Sequence, residues 1–507
     1  MQARDVFKMS EKKKVVVIGA GLGGLSAAIS AHAAGFEVEI YEKNDKVGGK
    51  LNVKTIDGYT FDLGPSIFTL PQIFRDLFAR VDRRFEDYVE LQRVAPQWRN
   101  FFEDGLVIDL YEERDLMLKE LEKLPGDFQK NKEDFDRFLT YARGQYHACE
   151  NGYLSEGLDT TWEMMKHYGP FKLWRTMDWK DRMDVAIHKR IENPQMRMIM
   201  EYFIKYVGSS AKDAPGYMNM MSLIQFDHGL WYVKDGMYAL AQGLEKLIRE
   251  LGIKLTLNAG VSEISRSSKR VNGITLNDGT KVSADYVISN MEVIPANREL
   301  LDAPAKKLKR LSKFAPACSG LVIHLGTDRL HPQLAHHNFF YSKDQNKHFR
   351  SVFEKGIIPD DPTLYVVAPT RTDPSKAPEG GDNIKVLPHI PPINPENPAT
   401  EEDYMALKDR VLEKMERMGI TGLRESTVVE DVLTPVDLER MYKSNRGSIY
   451  GVVTNWEQNK GFKAAKQDCD YKNLFYVGGS ANPGGGMPMV TLSGMKAVDR
   501  LVAFDRK

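Results

Sequence analysis

The chain has 507 residues, and its 70 lysines and arginines balance its 70 aspartates and glutamates, which gives a formal net charge of zero at pH 7. No global field gathers polyanions, so nucleic-acid binding is not expected. The length predicts two or three modules. The three cysteines, Cys149, Cys318 and Cys469, form no CxxC pair, and the charged N-terminus lacks a secretory signal, so we expect a cytoplasmic protein without a transmembrane helix.

The first motif is a glycine-rich loop between a strand and a helix. Val15–Ile18 is a run of β-branched residues, typical of a parallel strand that is buried on both faces. In the loop that follows, Gly19 permits a tight turn, Gly21 lets the backbone approach a pyrophosphate, and Gly24 lets a helix lie close to the strand. We expect that helix at Leu25–Ala34, with its N-terminal amides directed at phosphates. A glycine-rich turn without a ligand is the alternative.

A second strand, Val38–Tyr41, is followed by Glu42, eighteen residues after Gly24. This is close to the spacing of about twenty residues at which an acid binds a dinucleotide ribose. The glycine pair in Val47–Lys50 resembles the motif that follows the acid in FAD-dependent amine oxidases and carotenoid desaturases, so FAD is favoured over NAD. No second GxGxxG follows a strand, so no separate nicotinamide site is expected, and dioxygen or a membrane quinone is the expected oxidant.

The remaining chain indicates an α/β protein with an insertion. Residues 110–225 are mainly helical in pattern and rich in Met, Tyr, Trp and Phe, as in an inserted helical cap. Gly236–Leu251 predicts a further helix, and Leu474–Val477 predicts a strand that returns to the first sheet. We expect these segments: 12–109 FAD-binding, 110–228 helical cap, 229–300 FAD-binding, 301–453 substrate-binding α/β, and 454–507 FAD-binding.

One cap segment has the composition of a membrane interface. Phe171–Lys180 mixes aromatic and apolar residues with Lys172, Arg175 and Lys180, and Arg182 follows it. The segment predicts a peripheral contact with the cytoplasmic side of the cell membrane. Because neither the apolar nor the basic stripe is long, a cap helix that packs its apolar side inward is the alternative.

The C-terminal stretch VGGSANPGGGMPMV, Val477–Val490, concentrates glycine. Glycine is used where a Cβ would block a partner or where φ is positive, so the stretch predicts close backbone contact with a flat or phosphorylated ligand. In the proteins that the Val47–Lys50 motif resembles, such a segment meets the flavin. We therefore expect the backbone of Gly478, Gly479, Gly485 and Gly486 to contact the ribityl chain and the ring.

Longer stretches resemble the bacterial carotenoid desaturase family, in particular its branch that oxidises the ends of thirty-carbon diapocarotenoids. The resemblance covers nearly the whole chain and is carried by FDLGPSIFTLP (Phe61–Pro71), YFIKYVGSSAKDAP (Tyr202–Pro215), GLWYVKDGM (Gly229–Met237), ISNMEVIP (Ile288–Pro295), PQLAHHNFF (Pro332–Phe340), IKVLPHIP (Ile384–Pro391), SNRGSIYGVV (Ser444–Val453) and GGSANPGGGMPMVTLSG (Gly478–Gly494). It implies a Rossmann-like FAD-binding domain of the flavin amine oxidase type, a mixed α/β substrate domain and a helical cap.

The resemblance also implies a reaction and a set of cofactor contacts. The reaction is oxidation of the terminal methyl group of a C30 carotenoid (4,4′-diaponeurosporene or diapolycopene) to the aldehyde in carotenoid biosynthesis, and FAD-dependent desaturation of such a polyene is the alternative. Together with the loop motifs, it predicts FAD-binding residues at Gly19, Gly21, Leu22, Gly23, Gly24, Glu42, Lys43, Gly48, Gly49, Lys50, Leu63, Gly64, Pro65, Ser66, Val261, Asn290, Gly478, Gly479, Gly486, Met487, Pro488 and Met489.

The chain departs from the wider desaturase pattern at three places. Asn482–Gly486 replaces a His-Pro-Gly-Ala-Gly type of sequence, Trp162–Glu163 stands where some desaturases have an Arg-Asp pair, and Asp235 replaces a glycine. Acid–base roles that rest on the Arg-Asp pair therefore do not transfer. The flavin is expected to carry the redox step.

Three side chains are catalytic candidates beside the flavin: His337, Asn482 and Met487. His337 and Asn338 are expected to donate hydrogen bonds to a product aldehyde. Met487–Met489 suits an apolar wall beside the reacting carbon, because thioethers adapt to irregular shapes, and ordinary core packing is the alternative.

A metal-dependent oxygenase is not expected. His324, His331, His336, His337 and His389 form no paired ligand spacing, and the neighbours His336 and His337 are expected on opposite sides of a strand. Two mechanisms stay open for one flavin without a metal: hydride removal followed by water addition and a second oxidation, or oxygen transfer from dioxygen by reduced flavin. A flavin oxidase of soluble amines and a non-catalytic carotenoid carrier are further alternatives.

Overall fold

The computed structural model describes residues 12–169, 171 and 175–507. Its strands are β1 Lys14–Ile18, β2 Glu37–Tyr41, β3 Val53–Ile56, β4 Tyr59–Asp62, β5 Leu91–Arg93, β6 Trp98–Phe101, β7 Val107–Leu110, β8 Trp231–Val233, β9 Lys254–Thr256, β10 Val261–Ser267, β11 Arg270–Leu276, β12 Lys281–Ser283, β13 Tyr286–Ser289, β14 Ser319–Gly320, β15 Val322–Thr327, β16 His337–Phe340, β17 Leu364–Val367, β18 Asp382–Ile390, β19 Thr427–Leu433 and β20 Leu474–Tyr476.

The α-helices are named by their bounds. They run over Leu22–Ala33, Pro71–Ala79, Arg114–Leu121, Phe128–Cys149, Thr161–Tyr168, Met183–His188, Pro194–Tyr202, Met220–Asp227, Tyr238–Glu250, Val293–Pro295, Ala305–Leu311, Gln345–Phe349, Glu401–Arg417, Leu423–Ser426, Pro435–Tyr442, Trp456–Asn459 and Met487–Asp505. Wider helical turns lie at Glu150–Leu154, Ala296–Leu300 and Arg350–Lys355, and tighter ones at Phe85–Asp87, Phe203–Val207, Gly216–Asn219, Pro369–Arg371, Pro374–Lys376 and Asn445–Gly447.

A five-stranded parallel sheet in the order β20-β13-β1-β2-β9 forms the first layer. Val15, Val16 and Val17 of β1 are fully buried, as the β-branched run predicts. The return of β20 beside β13 is also confirmed. The first helix begins at Leu22, one turn before the expected start at Leu25, because the glycines after Gly21 lie inside the helix.

The first and last helices pack with their backbones in close contact. A Cβ added to Gly494 would lie 2.5 Å from the carbonyl oxygen of Gly23, a distance that only glycine permits. Beside this crossing, Ser26 Oγ donates a hydrogen bond of 2.6 Å to the carbonyl of Thr491. The C-terminal helix is therefore fixed against the N-terminal loop motif.

A second, mixed sheet contains β19-β15-β18-β17-β16-β6-β7, with β14 paired to β18. Its core packs against the helix Glu401–Arg417, whose first turn is capped by reciprocal bonds between Thr400 and Asp403. Strand β6 and all of β7 except Leu110 come from the predicted first FAD-binding segment, and β6 pairs in parallel with β16. The segment boundaries given above stay a prediction.

The cap is mainly helical, as predicted. The long helix Phe128–Cys149 opens into a wider turn at Glu150–Leu154, and Thr161–Tyr168 ends at Gly169, which has a φ of 76°. Pro170, Lys172, Leu173 and Trp174 lie outside the described residues, as does the N-terminus over 1–11. The membrane-contact prediction at those cap residues and the prediction about a secretory signal at the N-terminus therefore concern residues that the structure does not describe. No described helix has the length and hydropathy needed to cross a membrane.

A buried ion pair joins the cap to the C-terminal segment. Asp159 is fully buried and accepts hydrogen bonds from the side chain of Lys466 and, at 3.1 Å, from its amide. Arg500 lies 3.4 Å from the same carboxylate. Burial lowers the pKa of Lys466, and Asp159 opposes that shift. The pair therefore balances a charge that would otherwise lie unpaired in the interior.

We expect Asp159→Asn to lower the free energy of unfolding by about 3 kcal/mol, because Lys466 would keep its burial and lose its counter-charge. Chemical denaturation followed by circular dichroism measures this change. Glu90→Gln is the control: it breaks an exposed pair with Lys234, and we expect a change of less than about 0.5 kcal/mol. Equal changes in both variants would contradict the prediction.

Candidate active site

A cavity of about 590 Å³, called the main cavity below, lies at the carboxyl ends of the parallel strands. Ile18 and Tyr41 end β1 and β2, and Asn290 and Gly478 follow β13 and β20 closely; all four residues line it. The second sheet contributes the opposite wall through β15, β17 and β18. Carboxyl ends of parallel strands are where such sheets bind ligands.

Most of the predicted FAD-binding residues line the main cavity. They are Gly19, Gly21, Leu22, Glu42, Lys43, Gly48, Gly49, Lys50, Leu63, Gly64, Pro65, Ser66, Val261, Asn290, Gly478, Gly479, Gly486, Met487, Pro488 and Met489, and Gly485 joins them. Residues from both ends of the chain thus share one cavity. Their binding of FAD stays a prediction.

Gly23 and Gly24 pack behind the cavity wall and do not line it. A Cβ on Gly24 would lie 2.0 Å from the carbonyl oxygen of Gly19, which explains the close approach of helix and strand. A Cβ on Gly23 would lie 2.9 Å from the amide nitrogen of Gly478. The two glycine clusters of the sequence are therefore in direct backbone contact.

One end of the main cavity carries the polar groups expected near a nucleotide. The buried carboxylate of Glu42 accepts hydrogen bonds from the amides of Ala20 at 2.7 Å and Asn44 at 2.9 Å, which fix it at the cavity wall. Burial lowers the pKa of Lys43. Sequence reasoning missed Asn277 here, although it belongs to the Asn-Asp-Gly turn that precedes β12.

The other end of the main cavity is aromatic and apolar. Its wall includes Tyr146, Leu154, Tyr206, Met220, Met221, Ile224, Tyr365, Leu387, Tyr450 and Met489. Sequence reasoning missed the three tyrosines Tyr206, Tyr365 and Tyr450. Tyr206 and Tyr450 lie in stretches that carry the family resemblance, which was the available signal, and Tyr365 lies outside them.

Lys385 on β18 is a cationic side chain in the wall of this mostly apolar end. Its ammonium donates hydrogen bonds to the carbonyls of Gly64 at 2.7 Å and Asp62 at 3.0 Å, and to Ser66 Oγ. Burial lowers the pKa of Lys385 to about 8, and Asp62 opposes that shift. The lysine ties the segment after β4 to the second sheet.

Two of the three catalytic candidates lie outside the main cavity. His337 is fully buried, its Nδ1 lies 3.1 Å from the hydroxyl of Tyr365, and its Nε2 has no partner among the described residues. Asn482 is held by Tyr153 and by the amide of Lys463. Met487 is buried, lines the cavity and starts the last helix. The Asn338 amide accepts a hydrogen bond from the amide of Ala335 and donates to the carbonyls of Ala335 and Val366.

The expected orientation of His336 and His337 is wrong. His336 precedes β16, so the alternation of side chains along a strand does not apply to it. Its ring centroid lies 4.4 Å from that of His337. Each ring has its own partner, since His336 Nδ1 lies 2.7 Å from Thr372 Oγ1. Within the described residues, Asp468, Cys469 and Asp470 group three potential metal ligands, and Lys307 pairs with both carboxylates.

Comparison with known proteins assigns the family. The model of the flavin containing amine oxidoreductases matches residues 22–502. The chain belongs to the flavin-containing amine oxidoreductase family. It is an FAD-dependent oxidoreductase with the α/β fold that the sequence predicted. A solved triple mutant of putrescine oxidase, similar in fold, superposes with a TM-score of 0.64 at 14% sequence identity, covering 98% of this chain and 99% of that one.

Two known proteins are similar to this chain over nearly their whole length. The 4,4′-diapolycopene oxygenase of Methylomonas sp is 53% identical over 495 residues, which cover 97% of this chain and 99% of that protein. The 4,4′-diaponeurosporene oxygenase of Staphylococcus haemolyticus (strain JCSC1435) is 47% identical over 497 residues, 98% of each chain. The resemblance stated from the motifs is confirmed.

The residues present fit the FAD of a flavin-containing amine oxidoreductase. A Cβ on Gly21 would lie 2.5 Å from Asn290 Nδ2, and one on Gly49 would lie 3.2 Å from Gly21 Cα, so this wall is bare backbone. The first helix begins on the same wall at Leu22, where its positive end favours a phosphate. Glu42 supplies a carboxylate at the distance along the chain that a ribose hydroxyl requires.

We expect Gly21→Ala to lose most of its FAD, because the added methyl group would push the Asn290 amide aside and occupy the backbone surface that approaches the pyrophosphate. The ratio of flavin to protein absorbance after purification measures the loss. Gly144→Ala is the control, since a Cβ there meets nothing within 4 Å on the exposed face of a helix. Full flavin content in Gly21→Ala would contradict the prediction.

Proposed function

We propose that the protein oxidises the terminal methyl group of a C30 carotenoid, 4,4′-diaponeurosporene or diapolycopene, to the aldehyde. The observation that carries this proposal is the 53% identity to the Methylomonas 4,4′-diapolycopene oxygenase over 97% of the chain. Similarity of this extent includes the parts that would surround a substrate as well as the loops that would hold FAD. The same substrate class is named in the second relative, at 47% identity.

The apolar end of the main cavity supports a hydrocarbon substrate. A carotenoid end carries no polar group, so it must be oriented by shape and by apolar contact. Tyr206, Tyr365 and Tyr450 offer rigid aromatic faces, and Met220, Met221 and Met489 offer thioethers that adapt to an irregular chain. A soluble amine would instead require a charged or polar partner, and Lys385 has the wrong sign for an ammonium group.

The side chains of this protein would position the methyl group and exclude bulk water. Bound FAD supplies the two-electron chemistry that each oxidation step requires. Met487 and Met489 begin the last helix beside the glycine tract, so we assign them to the wall next to the reacting carbon. Dioxygen or a quinone of the membrane would reoxidise the enzyme.

Pigment analysis tests the reaction. In a host that makes C30 carotenoids, the protein should add one oxygen and remove two hydrogens at each oxidised end, as mass spectrometry of the extracted pigment would record. Gly21→Ala, which we expect to lack FAD, is the matched control and should leave the pigment unchanged. Loss of hydrogens without gain of oxygen would contradict the proposal and favour the desaturase.

Isotope labelling separates the two mechanisms that the sequence left open. An aldehyde trapped before it exchanges with solvent should carry oxygen from labelled water if hydride removal comes first, and from labelled dioxygen if oxygen transfer occurs.

We also propose that the cap meets the cytoplasmic surface of the membrane, from which the substrate would enter. Phe171 is 90% exposed and Trp162 is 71% exposed, and a segment that lies in a membrane interface presents aromatic side chains of this kind beside basic ones. Arg175, Lys180 and Arg182 are exposed in the same part of the chain, where they would face anionic headgroups.

We expect Trp162→Ser combined with Phe171→Ser to weaken binding to anionic phospholipid vesicles by about tenfold or more, because two aromatic rings would no longer be buried. Sedimentation with vesicles measures the affinity. Val428→Ser with Leu330→Ser is the control, since these residues are also exposed but belong to β19 and to the loop after β15 in the second sheet. Unchanged binding of the cap variant, or an equal loss in the control, would contradict this surface.

A further inference from the structure

A small polar chamber lies directly behind the wall of the main cavity. Its volume is about 10 Å³, which is room for about one water molecule. Ser66 and Lys385 line both spaces, so these two side chains separate the chamber from the main cavity. The remaining polar lining residues are Asp62, Tyr232, His336 and Asn383.

Lys385 and Ser66 form the inner end of a polar row. The lysine ammonium has its three donors directed at Asp62 O, Gly64 O and Ser66 Oγ. Because its pKa is about 8, Lys385 can exchange a proton near neutral pH. The neutral amine has a lone pair that accepts a hydrogen bond from the Ser66 hydroxyl. Ser66 Oγ can then take up a proton from the main cavity while its own proton passes to Lys385 Nζ, and the ammonium so formed returns to the amine by giving one proton to a water in the chamber.

Asp373 forms the outer end of the row. The hydroxyl of Tyr232, which lines the chamber, donates a hydrogen bond of 3.2 Å to Asp373 Oδ2. Lys376 Nζ lies 3.6 Å from the same oxygen. The Asp373 side chain is 14% exposed, so it reaches solvent. A proton that arrives at Tyr232 therefore has a carboxylate acceptor at the surface.

Asp62 lines the chamber together with Lys385 and Tyr232, so a water in the chamber would bridge its carboxylate to both. Desolvation raises the pKa of its carboxyl group, while Lys385 and Lys376 act in the opposite direction. Asp62 Oδ1 and Lys376 Nζ lie 3.6 and 3.3 Å from the position that a Cβ of Gly236 would occupy. Gly236 and Met237 belong to the GLWYVKDGM stretch, whose Met237 amide binds Asp62 Oδ2 at 3.1 Å. The stretch thus supplies both Tyr232 and the anchor of Asp62.

The other ionisable groups facing the row do not interrupt it. Burial lowers the pKa of His336 to about 3, so this ring is neutral. Burial lowers the pKa of His324 and His337 as well. Desolvation raises the pKa of Tyr232, and Asp62, Asp373 and Asp235 act in the same direction, so the phenol keeps its proton and acts by passing one on.

We propose that the polar row, defined from cavity to surface as Ser66, Lys385, Asp62, Tyr232 and Asp373 with one water in the chamber, carries protons between the main cavity and solvent. This inference rests on the proposed function and on hydride removal, the first of the two mechanisms that isotope labelling separates. Oxidation of a methyl group by hydride removal leaves a carbon cation that adds water and releases one proton. Oxidation of the resulting alcohol removes a second hydride and releases a second proton. Each hydride goes to the cofactor, and each proton needs an exit from an otherwise apolar end.

Tyr232→Phe tests the row with little change in packing, because the ring and its contact with His336 remain. We expect kcat to fall on the order of tenfold with KM unchanged, and the solvent deuterium isotope effect on kcat to rise, since proton release would become limiting. Asp373→Asn should likewise lower kcat and raise the solvent deuterium isotope effect. It is the variant to measure if Tyr232→Phe fails to fold. The amide still accepts the hydrogen bond of Tyr232 but cannot take up a proton.

Tyr59→Phe is the matched control. It removes the hydroxyl of another buried tyrosine, one that donates to the carbonyl of Thr327 at 2.9 Å and lines neither the chamber nor the main cavity. We expect its kcat and isotope effect to equal those of the unmodified enzyme. A row variant that behaves like Tyr59→Phe, or a Tyr59→Phe variant that behaves like the row variants, would overturn the proposal.

An infrared measurement needs no carotenoid and separates this inference from the proposed function. Photoreduction of the FAD-loaded protein should produce a change in a carboxylic acid stretching band that is absent in Asp62→Asn, shifted in Tyr232→Phe and retained in Tyr59→Phe. No change at Asp62 would overturn the row. Failure of the unmodified enzyme to oxidise a C30 carotenoid, with the infrared change present, would overturn the proposed function alone.

Discussion

Backbone contact between the first and last glycine clusters is the constraint on which the structure depends. No side chain at Gly23 could fit beside the amide of Gly478, and none at Gly494 could fit beside the carbonyl of Gly23. This contact holds β1, β13 and β20 side by side and aligns their carboxyl ends. It therefore converts segments from opposite ends of the chain into a single wall, and bare backbone is what a dinucleotide needs for close approach.

The two walls of the main cavity differ in chemistry, and each suits a different part of the bound molecules. The parallel sheet contributes the glycine backbone, the start of the first helix and the carboxylate of Glu42, a set suited to a nucleotide. The second sheet and the cap contribute tyrosines, methionines and Lys385, a set suited to a hydrocarbon. The polar row begins at the apolar end, with Ser66. A site that excludes water from its substrate still needs a narrow route for protons. A chamber with room for about one water provides such a route and admits no further water to the apolar end of the main cavity.

Sequence reasoning succeeded where local backbone chemistry decides the structure. The strand at Val15–Ile18, the glycines that follow it, the acid at Glu42 and the returning strand near Leu474 are where they were expected. It failed where contacts between segments distant in the chain decide which residues line the site. Tyr365 and Lys385 carry no local signal of a cavity, because β17 and β18 acquire that role only when the second sheet closes over the first. His336 and His337 were expected apart by strand alternation, yet the strand begins only at His337.

By itself the sequence determined the dinucleotide loop, the preference for FAD and the family, because glycine positions, acid spacing and long similar stretches are properties of the chain in order. Only the tertiary structure decided which side chains share the main cavity and that His337 and Asn482 lie outside it. It also decided that Ser66, Lys385, Asp62 and Tyr232 line one chamber and that Tyr232 bonds to Asp373. The physical reason is that burial, pKa and hydrogen bonding depend on neighbours that are hundreds of residues away along the chain.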